Sequence, residues 1–116
     1  MPAPTSPRKK SLMPSTELRR RLRKAGHALA PVVQIGKLGT TNAVNLQVTR
    51  ALVDHELIKV KLASECPETR FEVAEIFAAH PGVKVAQILG RTLLLYRRHP
   101  KKPQFEKAAK PADKSR

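Results

Sequence analysis

The sequence predicts one α/β (α+β) domain with the element order α-β-α-β-α-β-β and a four-stranded mixed sheet against which the helices pack. Three observations support this prediction. Hydrophobic spacing alternates between the helical and the strand period across residues 15–98, and Gly or Pro residues separate the segments. A chain of 116 residues is too short for a second large core. The last two strand-like segments lie at hairpin spacing, which adds an antiparallel pair.

The first helix is predicted to begin at Ser15 or Thr16, either of which can cap it, and to end at Gly26. Leu18 and Leu22 recur at helical spacing and define the face that packs against the sheet. Most of the remaining circumference is cationic, because it carries Arg19, Arg20, Arg23 and Lys24.

A glycine-bounded loop is predicted between the first strand, Pro31 to Ile35, and a second helix that begins after Thr40 or Thr41. The loop consists of Gly36, Lys37, Leu38 and Gly39. Helix N-termini present unpaired amides and the positive end of the helix dipole, so they bind anions readily. We therefore expect phosphate binding at this loop. The spacing alone leaves an alternative open, in which both glycines only satisfy the dihedral angles of a tight turn.

The second strand and the third helix carry opposite charges. The strand Leu57 to Leu62 alternates with period two, so Lys59 and Lys61 share one face. The third helix is predicted from Glu68 to about His80. Its inward positions are Val73, Ile76, Phe77 and His80, and its outward positions are Glu68, Glu72 and Glu75. We expect this acidic face to avoid a polyanion.

The last two strands, Val83 to Leu89 and Thr92 to Tyr96, flank the dipeptide Gly90-Arg91. Glycine at the first central position favours a type II′ turn, which requires a positive φ there. The two preceding β-α-β connections are expected to be right-handed, and this handedness places the second and third helices on one face of the sheet.

Positive charge is concentrated at the two ends of the chain. The net charge is +14, of which residues 1–24 contribute +7 and residues 97–116 contribute +6, so the middle is nearly neutral. Residues 1–14 and 99–116 are rich in Pro, Lys and Ser and are predicted to be disordered basic arms beside a folded domain at residues 15–98. This charge distribution favours polyanions, with nucleic acid ahead of an anionic membrane.

These features combine into a hypothesis of phosphate binding on structured RNA. The first helix, the glycine-bounded loop and the end of the last strand would form one surface, which the second strand would extend. With only three Phe, one Tyr and no Trp, base-stacking platforms are disfavoured, so recognition is expected to depend on backbone and shape. The candidate RNA-binding residues are Arg19, Arg20, Arg23, Lys24, Gly36, Lys37, Leu38, Gly39, Lys59, Lys61, Arg97 and Arg98.

Other functional classes find little support in the sequence. The triplet Asp54, His55 and Glu56 could suggest acid-base catalysis, but no nucleophile or metal spacing accompanies it, so no catalytic residue and no small-molecule substrate are predicted. We expect His55 and Glu56 to cap or order the junction between helix and strand. The four His are scattered and there is one Cys, so no metal and no cofactor are predicted. A membrane-surface role is disfavoured by the narrow apolar face of the first helix, and DNA binding by the lack of a recognition helix.

Three segments, in this order and at this spacing, resemble the YhbY-like or CRM (chloroplast RNA splicing and ribosome maturation) domain family. They are Leu29-Ala-Pro-Val-Val33 before the glycine-bounded loop, His55-Glu-Leu-Ile-Lys-Val-Lys61, and Gly90-Arg-Thr-Leu-Leu-Leu-Tyr-Arg97. The resemblance covers about residues 15–98. It implies an α-β-α-β-α-β-β fold similar to the C-terminal domain of a bacterial translation initiation factor, and RNA binding with the GxxG loop at the surface.

The resemblance implies one of two roles. Bacterial stand-alone members are associated with precursors of the large ribosomal subunit, whereas plant members assist group II intron splicing in organelles, usually as larger multi-domain chains. One short domain favours the role in ribosome assembly, and an organellar-type splicing factor is the alternative. We accordingly expect a monomeric, cytoplasmic, ribosome-associated protein whose partner is ribosomal RNA of the large-subunit precursor.

Overall fold

The structure, a computed structural model, describes residues 15–105 of the chain. The predicted arm at 1–14 and the chain from residue 106 onward lie outside the described residues. The predicted order α-β-α-β-α-β-β is confirmed. The elements are α1 (Thr16–Gly26), β1 (Pro31–Ile35), α2 (Asn42–His55), β2 (Leu57–Leu62), α3 (Arg70–Ala78), β3 (Val83–Leu89) and β4 (Thr92–Arg97).

The predicted four-stranded mixed sheet is confirmed, and the structure gives its strand order as β1-β2-β4-β3. Strands β1 and β2 are parallel, and β4 runs antiparallel to both β2 and β3. Helices α2 and α3 share one face of the sheet with the main core, which contains Val48, Leu52, Val60, Val73, Phe77 and Leu95. Helix α1 covers the other face with a smaller core of Leu18, Leu22, Leu57, Ala86, Leu94 and Tyr96. The domain therefore has three layers, with the sheet in the middle.

Strand directions define two ends of the sheet. Strands β1, β2 and β3 finish at one end, and β4 starts there; we call it the loop end, because the segment Gly36–Gly39 follows β1. Strand β4 finishes at the other end, which we call the far end. Arg97 lies five positions after Thr92, so the two ends lie about 17 Å apart at the usual rise along a strand.

Helix α3 is shorter than the sequence predicts. Thr69 caps it, and Glu72 closes a reciprocal capping box by accepting from the Thr69 amide at 2.8 Å, so the helix starts at Arg70. Glu68 therefore precedes the helix and does not belong to its outer face. Ala74 is fully buried, whereas Ile76 is only half-buried, so the inward face is rotated from the predicted one.

Gly26 ends α1 as predicted, but it has a second role in packing. A Cβ placed at this position would lie 2.7 Å from Leu94 Cδ1. A larger residue at position 26 would require the Leu94 side chain to shift, so glycine suits this close approach of the helix to the sheet. The β3–β4 turn also agrees with its prediction, because φ is +59° at Gly90 and Arg91 has no positive φ, as a type II′ turn requires.

Residues that follow the predicted domain boundary at residue 98 contact the folded domain. Buried Glu56 accepts hydrogen bonds from the amides of His99 at 2.7 Å and Gln104 at 3.0 Å. The Phe105 ring packs edge-on against Tyr96, with centroids 5.9 Å apart. Residues 99–105 therefore contact the folded domain, although they belong to the segment 99–116 that is predicted to be disordered. One buried carboxylate and one aromatic contact join residues 99–105 to the domain, and the composition of the segment gives no signal for either contact.

Candidate RNA interface

The segment Gly36–Gly39, which we call the GxxG loop, forms a tight turn at the loop end of the sheet. The Gly39 amide donates to the Gly36 carbonyl at 3.0 Å, and φ at Gly39 is +76°. Lys37 is exposed, and Leu38 has 81% of its surface in contact with solvent. An apolar side chain held outward beside a cation can contact both a sugar and a phosphate of a nucleic acid.

The two glycines of the GxxG loop have different structural requirements. A Cβ at Gly39 would lie 3.1 Å from both Glu68 Oε1 and Pro67 Cγ, and its positive φ also favours glycine. A Cβ at Gly36 would meet no atom within 4 Å, and Gly36 does not have a positive φ. The fold therefore requires glycine at 39 but not at 36, where the open space admits the backbone of a ligand.

The N-terminus of α2 already holds an anion from the protein itself. Glu68 Oε1 accepts hydrogen bonds from the Thr40 amide at 2.9 Å and the Thr40 hydroxyl at 2.6 Å. The Thr41 hydroxyl caps the helix by accepting from the Val44 amide at 3.2 Å. The expected open anion site at the start of this helix is therefore partly filled by a carboxylate. Within residues 15–105, no group accepts from the Lys37 and Leu38 amides, so the donors open to a phosphate lie at the tip of the loop.

Further cations surround the GxxG loop. Exposed Lys61 pairs with Gln34 and Thr92 in the last rows of the sheet, and exposed Arg91 lies in the β3–β4 turn at the same end. Arg91 and Arg70 line a shallow groove beside the turn that follows β2. Sequence reasoning did not select either arginine. The predicted hairpin and right-handed crossovers contain the signal for Arg91, because they place this turn at the C-terminal end of β2.

The basic side of α1 faces solvent on the opposite face of the sheet from α2. Arg20, Arg23 and Lys24 are exposed, whereas Arg19 is half-buried. Arg21 has a structural role, since its guanidinium donates to the Phe105 carbonyl at 2.6 Å. A cleft connects the end of this helix to the loop end of the sheet, and it is lined by Gly26, His27, Lys59, Gln87, Leu89, Thr92 and Leu94. One bound molecule could therefore contact the last turn of α1 and the loop end together.

Three of the candidate residues differ from the expected single surface. Lys59 is half-buried, and its ammonium group donates to the Leu29 carbonyl at 3.0 Å, which ties the α1–β1 connection to β2. Arg97 is the last residue of β4 and Arg98 follows it, so both lie at the far end, about 17 Å from the loop end. The structure thus brings the GxxG loop, Lys61 and the end of α1 towards one another, but it does not bring Arg97 and Arg98 to them.

The triplet Asp54, His55 and Glu56 lies where α2 ends and β2 begins. Asp54 and His55 are exposed at the end of α2. Glu56 is buried, and its carboxylate accepts from His99 and Gln104 in the C-terminal segment, a contact that is not expected from its position between helix and strand. Across residues 15–105, no group of three or more His, Cys, Asp or Glu side chains is arranged to hold a metal ion. No helix in the described range has the length and apolar character needed to cross a membrane.

Comparison with known proteins identifies the family. The family model described as the CRS1/YhbY (CRM) domain matches residues 15–97. The chain belongs to this family. It is 34% identical over 88 residues to Probable RNA-binding protein YqeI of Bacillus subtilis, covering 76% of this chain and 92% of YqeI. It is 36% identical over 85 residues to Probable RNA-binding protein PA4753 of Pseudomonas aeruginosa, covering 73% and 82% of the two chains.

A solved structure supports the fold of this CRM domain. The solution structure of SAV1595 from Staphylococcus aureus, itself described as a candidate RNA-binding protein, superposes with a TM-score of 0.66 at 27% identity. The similarity covers 80% of this chain and 99% of that one. The family resemblance read from the sequence is therefore confirmed, and the relatives named above carry names for RNA binding and not for an enzyme activity.

Proposed function

We propose that this CRM-domain protein is a ribosome assembly factor that binds precursor RNA of the large ribosomal subunit through its phosphate backbone. The observation that carries the proposal is the GxxG loop, whose exposed tip presents free amides, a lysine and an open glycine at one end of the sheet. The RNA-binding part is supported further by the names of the relatives. The protein acts in the cytoplasm on the assembling ribosome, as a monomer and without a cofactor.

The electrostatic pattern supports RNA as the partner. Lys37, Lys61 and Arg91 are exposed around the loop end, and the basic side of α1 extends this surface. Phosphate contacts by such side chains supply affinity without reading sequence, and they make binding depend on salt. Among the described Phe and Tyr residues only Phe71 is exposed, and the Arg70 guanidinium lies over its ring at 4.7 Å. A single exposed ring favours recognition of a folded RNA by its shape over stacking of several bases.

The choice of ribosomal RNA rests on the kind of relative that matches. YqeI and PA4753 are covered over 92% and 82% of their lengths, so they are themselves bacterial chains of about one domain. Such stand-alone members are the ones that the family resemblance links to large-subunit precursors. Ultraviolet crosslinking in cells, followed by sequencing, tests this assignment. We expect enrichment of large-subunit ribosomal RNA, and enrichment of messenger RNA would contradict it.

A binding experiment tests the role of the GxxG loop. We expect the double variant Lys37→Asp with Leu38→Asp to weaken binding to a ribosomal RNA fragment in a filter assay without lowering the melting temperature. The matched control is Arg50→Asp with Val53→Asp, which makes the same charge change on exposed residues of α2. No loss in the loop variant would mean that the loop is only structural. Equal losses in both variants would mean that the charge change alone weakens binding, wherever it is made.

The salt dependence of affinity tests the phosphate mechanism directly. If about six phosphates are neutralised, the slope of log K against log salt concentration is expected to be about −4 to −5. The slope is measured on the full chain with the same ribosomal RNA fragment. A slope near zero would contradict binding through the phosphate backbone.

A further inference from the structure

The far end of the sheet holds a second cluster of cations with a defined shape. The segment from Arg97 to Lys102, which we call the basic turn, contains four Lys or Arg residues and one His within six positions. Within residues 15–105, none of these four cations forms an ion pair. Lys101 and Lys102 are exposed and Arg97 and Arg98 are half-buried, so the side chains of the basic turn carry positive charge that no ion pair neutralises within the described residues.

The backbone of the basic turn is fixed by hydrogen bonds. The His99 amide donates to Glu56 Oε2 at 2.7 Å, and the Arg97 amide donates to the Glu56 carbonyl at 2.9 Å. His99 Nδ1 accepts from the amides of Lys101 at 3.0 Å and Lys102 at 2.9 Å. The lysine amides are thus used within the turn, while both lysine side chains remain exposed. A fixed backbone lowers the entropy that is lost when such side chains bind a ligand.

A buried residue with an unusual backbone supports the basic turn. Glu56 is only 3% exposed, and its φ is +66°, the only positive φ of a non-glycine residue in the described chain. Holding a charged side chain in the interior with this backbone costs free energy, which the hydrogen bonds to His99 and Gln104 must offset. Beside it, Arg98 Nε is buried without a hydrogen-bond partner, in a cleft that Arg97 and His99 also line.

We propose that the basic turn is a second RNA-binding site, which takes the phosphate backbone of an RNA segment different from the one at the GxxG loop. The proposal rests on the RNA-binding function proposed above. The separation of the two sites follows from the antiparallel direction of β4, since this strand carries the chain about 17 Å away from the loop end before the basic turn begins. A single folded RNA contacts both sites when two of its helices or strands lie on opposite ends of the sheet.

Charge removal on the full chain tests the second site. The variant Lys101→Gln with Lys102→Gln keeps the turn, because only the lysine amides bond within it. We expect about a tenfold loss of affinity for a multi-helix ribosomal RNA fragment at physiological salt. We also expect the slope of log K against log salt concentration to be smaller in magnitude by about 1.5. The matched control, Lys107→Gln with Lys110→Gln, removes the same charge further along the chain and is expected to lose less than half as much on a logarithmic scale. Equal losses would overturn the proposal, because charge alone would explain them.

A short RNA distinguishes the two sites. A minimal stem-loop that is fully bound at the GxxG loop should lose affinity with Lys37→Asp and Leu38→Asp but not with Lys101→Gln and Lys102→Gln. An equal loss in both variants would overturn the separation of the sites. If the loop variant leaves both RNAs unaffected while the basic-turn variant still weakens the long one, the proposed role of the loop fails and the second site stands. Binding to phosphatidylglycerol vesicles in place of RNA would overturn the choice of ligand.

If the backbone of the basic turn is preformed for RNA, then His99, which holds this backbone, should contribute to binding although it is not one of the Lys or Arg residues. His99→Ala removes the acceptor of the Lys101 and Lys102 amides while the lysine and arginine charges stay in place. We expect this variant to weaken binding of the long RNA by about threefold, through the greater entropy lost on binding. The control is His55→Ala, which changes an exposed His at the end of α2. Unchanged affinity in the His99 variant would contradict a preformed site.

Discussion

Each end of the sheet holds a cationic segment in place with one carboxylate, but the two carboxylates are built in differently. At the loop end, Glu68 is half-buried and accepts two hydrogen bonds from Thr40. At the far end, Glu56 is buried, has a left-handed backbone and joins His99 and Gln104 to the core. The loop end is thus stabilised by the half-buried carboxylate of Glu68, and the far end by the buried carboxylate of Glu56. A change at Glu56 should therefore mainly lower the stability of the fold, whereas a change at Glu68 should mainly alter the affinity for RNA.

The largest effect is expected from Glu56→Ala. Removing this carboxylate leaves the amides of His99 and Gln104 without their acceptor in a partly buried position. We expect the free energy of unfolding to fall by about 2–4 kcal/mol, as for other buried groups that hold several hydrogen bonds. Urea unfolding followed by circular dichroism measures the change. Glu56→Gln keeps an oxygen acceptor and should lose clearly less, and an unchanged midpoint for Glu56→Ala would contradict the role given to Glu56.

The second prediction compares the two glycines of the GxxG loop. Gly39→Ala should lower the free energy of unfolding by about 1–3 kcal/mol, because its φ is +76° and the new Cβ would crowd Glu68 and Pro67. Gly36→Ala serves as the matched control, since it should leave stability unchanged or raise it by about 0.4–1 kcal/mol. Thermal unfolding of both variants provides the comparison. Equal destabilisation would mean that Gly36 is also required by the fold.

The same pair of variants sharpens the assignment of the RNA surface. Gly36→Ala places a methyl group in the space that we assign to the RNA backbone, so its affinity for RNA should fall although its fold is intact. A Gly36→Ala variant with full affinity would show that RNA does not approach the loop at this position.

The fold could be predicted because its signals are local or topological. The spacing of Leu18 and Leu22 predicts one helix, the alternation of Lys59 and Lys61 predicts a strand, and the Gly90-Arg91 pair predicts its turn. Right-handed crossovers then place α2 and α3 on one face. None of these inferences requires knowledge of a side-chain contact.

The candidate site was harder to predict, because its organising contacts join distant residues. Glu68 and Thr40 lie 28 positions apart, and Glu56 and His99 lie 43 apart, so no local pattern links either pair. In the sequence, Glu68 simply continues the acidic series of a helix. The positions of Arg97 and Arg98 could have been inferred from the predicted topology, since a strand antiparallel to β2 ends where β2 begins. The prediction placed these arginines on one surface with the GxxG loop only because they are positively charged, and it did not use the direction of the strand.

The smallest effect is expected from Glu68→Gln, which tests whether the carboxylate at the start of α2 limits RNA binding. The amide oxygen can still accept from Thr40, so stability should change by less than about 1 kcal/mol. Removing a negative charge beside the GxxG loop should raise the affinity for RNA about two- to fivefold at low salt, and this gain should shrink as salt screens the charges. Glu75→Gln makes the same charge change on the outer side of α3 and should raise affinity less. A lower affinity for Glu68→Gln would show instead that the full charge is needed to hold the loop in its binding shape, and that the surface contact at this end is as indispensable as the buried one at the other.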